Sequence, residues 1–213
     1  LFGVSSVFLC KFRQEKYVKK GHLSRENMLR TNQSFLAYAE MLYEQQERKE
    51  AIVMKQYAKG QRLLNQDEAA SKVMLVKEGI TKCFFTEGNE KEYILEFLGK
   101  GEIIGEIEFI RNIPCLCTIE AMTDVTVYAF SVSYFESLLK SDIGLNGILL
   151  NVFAERIVNT SSRASYQQLY TIEHSLTKLL DLQTKQSIKL SKEDMAAYLG
   201  VSVRSLNRGL KNI

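Results

Sequence analysis

Four cysteines and two histidines are the residues of this 213-residue chain whose chemistry goes beyond ordinary charge. Cys115 and Cys117 stand two apart in a β-prone run, a spacing that turns both side chains to one face of a strand. With Cys83 from another strand they form a candidate thiol-redox or soft-metal site. The competing reading is three small buried hydrophobes, a common state of free cysteine. Two vicinal thiols do not complete a ligand set, so no metal and no cofactor is expected. Cys10 lies far from the others, and His22 and His174 are isolated and receive no site. No Ser/His/Asp order, metal-ligand cluster or P-loop is present, which argues against an enzyme.

The other informative residues lie in the tail. Ser191-Lys192-Glu193-Asp194 matches a capping box and opens a helix over Met195 to Leu199. Gly200 stops it, Val201 fills the corner, and Ser202 caps a last helix through Lys211. Two helices joined by a tight glycine turn, the second one basic, predict a DNA-binding helix-turn-helix. A bare helical hairpin is the alternative.

Elements that position these residues follow from composition. The chain is 46 % hydrophobic and 25 % charged, as in a soluble globular protein of one or two domains. Its longest apolar run, Leu1 to Cys10, is short for a membrane helix and lacks a basic flank, so an intracellular, cytoplasmic protein is expected. Net charge is +3, but residues 60–140 carry 8 Lys/Arg against 13 Asp/Glu and residues 189–213 carry 5 against 2. Only the tail would welcome a polyanion. Residues 11–30, with 7 basic and 2 acidic side chains, read as an arm or a solvated face. Ser34 is a candidate cap for the helix that follows. From Ala51 to Val132, β-branched and aromatic runs alternate with glycine or polar turns, Thr86-Glu87-Gly88-Asn89 being the clearest, and predict an antiparallel β-barrel or sandwich. Ser133 is placed to cap a helix through Lys140. Beyond it, Ile143, Leu145, Leu149, Phe153, Ile157, Thr160 and Ala164 make one stripe, read as a self-association seam or as a core-facing helix. The polar run Asn159 to Ser165 marks a candidate hinge.

This order resembles the Crp/Fnr family of bacterial transcription regulators over about residues 50–213. The resemblance is carried by Tyr57-Ala58-Lys59-Gly60-Gln61, Val76-Lys77-Glu78-Gly79, Phe97 to Glu102, Gly105-Glu106-Ile107, Ala121 to Val125 and the tail from Leu190. It implies an α+β fold: an N-terminal antiparallel β-barrel of jelly-roll, cyclic-nucleotide-binding-like type, a long dimerisation helix and a C-terminal helix-turn-helix. The corresponding domains are an extension over 1–33, a sensor over 34–140, the helix over 141–168 and the DNA-binding part over 169–213. The chain given reaches Ile213 with the recognition helix inside it and the family's wing outside it.

The same resemblance implies two subunits reading a pseudo-palindromic operator, with RNA polymerase as a further partner, no membrane, and an effector the sequence does not name. Val203, Arg204, Asn207 and Arg208 are expected at base edges, and Ser202 and Lys211 at phosphates. Cyclic-AMP-binding members hold ribose and phosphate with Gly-Glu at one end of a turn and Arg-Ser/Thr at the other. Gly105 and Glu106 keep the first pair, but Cys115-Leu116 stand at the second, and Arg111 is out of register. Without a guanidinium to offset phosphate desolvation, no response to cyclic AMP is expected. An iron–sulfur cluster of the Fnr kind would need several N-terminal cysteines, and Cys10 alone does not supply them. The alternative function is a dimeric ligand- or thiol-sensing module that acts through protein partners.

Overall fold

The computed structural model describes residues 28–47 and 50–213, so Cys10, His22 and the greater part of the basic segment 11–30 lie outside the described residues. Nine strands and seven helices follow in the order β1 (Leu29–Arg30), α1 (Gln33–Gln45), β2 (Ile52–Tyr57), β3 (Arg62–Leu64), β4 (Val73–Glu78), β5 (Thr81–Thr86), β6 (Glu92–Leu98) and β7 (Ile103–Ile104) among those described. Next come α2 (Glu106–Arg111), β8 (Thr118–Ala121), β9 (Val125–Phe130), α3 (Val132–Ser141), α4 (Ile143–Leu169), α5 (Ile172–Gln186), α6 (Lys192–Leu199) and α7 (Val203–Leu210).

The strands form two facing sheets, the sandwich form of the expected jelly roll: β1-β6-β5-β8-β3 and β2-β9-β4-β7. Pairing is antiparallel except for β1, which runs parallel to β6. Alternation along the strands explains the layering. In β4, Met74 and Val76 enter the roll interior with Cys83, Cys117, Ile119 and Val127. Val73 and Leu75 turn outward onto Phe35, Phe135, Leu145 and Leu149 of α1, α3 and α4. The other sheet buries its outer side too, with Phe84, Ile94 and Phe97 packed on Leu176, Leu179, Met195 and Leu206 of the C-terminal helices. A buried phenylalanine or isoleucine is worth roughly 1.5–3 kcal/mol, so these three fasten the C-terminal helices to the sheet.

Local signals shift in three places. Asn32, not Ser34, caps α1, its Oδ1 accepting from the Phe35 N–H. Ser131, not Ser133, caps α3. The candidate hinge over Asn159 to Ser165 is continuous helix, and α4 breaks instead at Tyr170. Two anchors hold that polar stretch helical: Thr160 Oγ1 donates to the Arg156 carbonyl at 2.6 Å, and the Arg163 guanidinium donates to the β6 carbonyls of Ile94 and Leu95.

Candidate DNA-reading helix and effector site

The helix-turn-helix is assembled by its own caps. Ser191 Oγ accepts the Asp194 N–H at 2.9 Å, and Ser202 Oγ accepts that of Ser205 at 3.1 Å. Between them Gly200 turns at φ +69°, a left-handed conformation costly for other residues. Leu206 and Gly209 are buried, and a Cβ at Gly209 would meet Leu176 Cδ2 at 3.3 Å, so α7 lies close on α5. The opposite side carries Ser202, Val203, Arg204, Arg208 and Lys211, all exposed, with Asn207 half-buried at their margin. Five of the six expected DNA-contacting residues are thus exposed and Asn207 is half-buried, with three cations and no carboxylate among the six.

The first helix of the pair, α6, is fixed to the sensor by residues that carried no local signal in the sequence. Lys82 Nζ lies 3.1 Å from Asp194 Oδ1. The Tyr93 hydroxyl donates to Gln167 Oε1 at 2.8 Å, and Gln167 Nε2 donates to the Tyr198 carbonyl at 3.1 Å. The Arg163 guanidinium lies over both tyrosine rings, 4.9 Å from Tyr93 and 4.4 Å from Tyr198.

At the expected effector turn, Gly105 adopts φ +85°, where a Cβ would lie 2.9 Å from the Lys72 carbonyl. The next side chain, Glu106, is buried and takes a hydrogen bond from Arg156 Nη1 of α4. Arg156 Nη2 donates to the Ile103 carbonyl at 2.8 Å and lies 3.5 Å from Glu102. Arg30 Nε donates to the same Glu102 at 3.2 Å, and Glu96 stands between the two arginines. Burial pushes the Glu106 carboxyl up despite the pull of Arg156. Burial works against the Arg156 charge, yet Glu106, Glu96 and Glu102 together raise its affinity for the proton.

At the other end of the turn, Leu116 points to solvent and its N–H is already taken by Glu108 Oε1 at 3.1 Å. Arg111 is exposed on α2. The turn therefore presents a carboxylate, not a guanidinium, where a phosphate would be received.

The thiols separate. Strand β8 starts at Thr118, so Cys115 lies in the preceding loop, pinned by backbone bonds to Glu68 and Asp67, and the shared strand face expected for Cys115 and Cys117 does not exist. Cys117 instead meets Cys83 inside the roll, and their thiol–thiol hydrogen bond together with burial pushes Cys83 up. Burial also raises Cys115, reinforced by Glu108 and Glu68. His174 is exposed and stacks on Tyr170 at 4.5 Å.

Residues 54–142 match the cyclic nucleotide-binding domain family. Over 163 residues the chain is 24 % identical to the HTH-type transcriptional regulator Cmr of Mycobacterium tuberculosis, a match spanning 76 % of this chain and 66 % of that protein. It is 32 % identical over 98 residues to the Drosophila melanogaster cAMP-dependent protein kinase type II regulatory subunit, covering 46 % of this chain and 26 % of that one. A Crp/Fnr-family transcriptional regulator from Thermus thermophilus superposes with a TM-score of 0.65 at 13 % identity, covering 75 % of this chain and 84 % of that one. The chain carries a cyclic nucleotide-binding domain and shares the fold of Crp/Fnr-family regulators. The match to Cmr spans just under two thirds of that regulator, and the match to the kinase subunit about a quarter of that protein. No helix among the described residues is long and apolar enough to cross a membrane.

Proposed function

We propose that this protein is a dimeric, sequence-specific DNA-binding transcription regulator of the Crp/Fnr type whose sensor does not answer to cyclic AMP. The observation that carries the DNA reading is the exposed side of α7, where Val203, Arg204, Asn207, Arg208 and Lys211 surround a helix capped at Ser202. Arginine suits guanine O6/N7 and asparagine suits adenine, each worth ~1–3 kcal/mol of discrimination. Ser202 and Lys211 suit phosphate.

Pairing through α4 is supported by Ile143, Leu150 and Ile157, which recur every seven residues and remain 87, 69 and 67 % exposed. This seam differs from the stripe read in the sequence, since Leu145 and Leu149 are buried and Phe153 packs half-buried against the chain's own sensor. Two copies joined there would set two α7 helices into major grooves ~34 Å apart.

Against cyclic AMP stand the Glu106–Arg156 pair and the Glu108 carboxylate on the Leu116 amide. Titrating a labelled duplex by fluorescence anisotropy between 50 and 200 mM salt, values spanning the range in which phosphate contacts are counted, tests the DNA reading. A steep decline in affinity with salt is expected, and a flat response would turn attention to the protein-partner alternative. Isothermal titration with cyclic AMP and cyclic GMP, reduced and oxidised, tests the sensor, with no heat expected in any arm. Micromolar binding would overturn the second half of the reading without touching the first.

A further inference from the structure

Arg30 is a buried guanidinium for which the DNA reading has no use. It is 6 % exposed, its Nε serves Glu102 and Glu96, and its Nη1 is buried with no hydrogen-bond partner. Among the described residues the other buried side-chain nitrogen in that state is Arg156 Nε, 3.7 Å from Glu96 Oε1. Buried donors are nearly always satisfied, and two of one chemical kind flanking one carboxylate call for an acceptor.

A cavity of about 60 Å³ lies beside Arg30, lined also by Glu96, Asn159, Thr160, Arg163 and Tyr198. One wall is β6 and the other is α4, with Leu182 of α5 and Tyr198 of α6 closing it. A water molecule needs about 10–15 Å³ of such space, so the cavity has room for a species of three or four heavy atoms. Charge narrows the choice. Arg30, Arg156 and Arg163 cluster with Glu96, Glu102 and Glu106. The cavity wall itself carries two guanidiniums, Arg30 and Arg163, against the one carboxylate of Glu96.

We propose that this cavity binds a small planar monoanion, of the size of formate, acetate, nitrite or nitrate, on Arg30 Nη1 with Asn159 and Tyr198 as further donors. The ligand would sit where the sensor sheet, the long helix and the helix-turn-helix meet. Only its consequence for DNA binding rests on the regulator reading; the site itself does not.

The test is a melting titration of the full chain in gluconate buffer at constant ionic strength, gluconate being a monoanion too large for the cavity. Formate, acetate, nitrite and nitrate replace it one at a time. At a hundredfold excess over its dissociation constant, the fitting anion raises Tm by about 5 °C and then saturates. Isotope-labelled anion then counts one site per chain. Asn159→Leu fills the cavity without removing an ion pair, so it should fold as the parent does and lose the response. Arg30→Lys keeps the charge, loses the planar fork and should weaken binding at least tenfold. If all four anions behave as gluconate does, or if Asn159→Leu responds like the parent, the proposal fails. Failure of duplex DNA binding in a separate assay would leave a positive titration standing.

Discussion

Glu106 shows how burial can reassign a residue that a family pattern assigns to a ligand. Desolvation dominates its shift, so the folded state holds its proton more tightly than the unfolded chain does. A raised carboxyl contributes stability in full below its unfolded value, near 4.5, and loses it as pH rises through the folded value. Urea melts of the parent should therefore decline over that window relative to Glu106→Gln, whose amide stays neutral. A constant offset between the two proteins at all pH values would contradict the shift. The thiols make a parallel case. Cys83 and Cys117 are 7 and 6 % exposed, out of reach of an oxidant or reagent, and Cys83, held above its usual range by Cys117 and by burial, offers little thiolate. Native protein should accordingly leave both unmodified by an aromatic disulfide reagent on a timescale that labels them fully in urea. Fast native labelling at Cys83 would favour the thiol-sensing alternative.

At the scale of elements, α7 divides its side chains between an exposed set and a buried set that holds it on α5. Arg204→Ala should cost ~1–3 kcal/mol on the preferred duplex and relax the preference at one base position. Lys211→Ala should weaken all duplexes alike and lower the salt slope by about one. Anisotropy on the preferred and a scrambled duplex separates the two outcomes. These helices were legible because their determinants are local: Ser191, Gly200 and Ser202 act within four residues of themselves. The six longer strands were legible for the same reason, through alternation and turn glycines. Strands β1, β3 and β7 span two or three residues, too few for a period to register. The polar cluster was invisible because Arg30, Glu96, Glu102 and Arg156 meet across long sequence separations. On α4 the period was read correctly but the partner was not. Leu145 and Leu149 repeat as helical neighbours just as Ile143 and Leu150 do, and periodicity does not say which row faces the chain's own sheet.

The whole molecule sets sensor and helix-turn-helix into one packed unit on one side of α4, leaving the row of Ile143, Leu150 and Ile157 uncovered on the other. In a single chain these three side chains face solvent, so a charge there should cost the monomer little. Across a two-fold seam the same charge would meet its own copy in an apolar contact, where like charges repel and desolvation is unrelieved. Leu150→Asp with Ile157→Asp should thus yield a folded monomer by light scattering, with a circular dichroism spectrum and anion-free Tm close to those of the parent. DNA affinity should then drop by much more than the loss of one half-site's statistical factor. In a dimer the second α7 binds from an effective concentration set by α4, typically in the millimolar range, and that advantage disappears with the seam. A twofold-symmetric duplex should lose its edge over a single half-site in the variant. A variant that remains dimeric would show that Ile143, Leu150 and Ile157 do not form the seam. A monomer with undiminished preference for the symmetric duplex would instead sink the paired-helix mechanism while leaving the single-helix contacts of Arg204 and Arg208 intact.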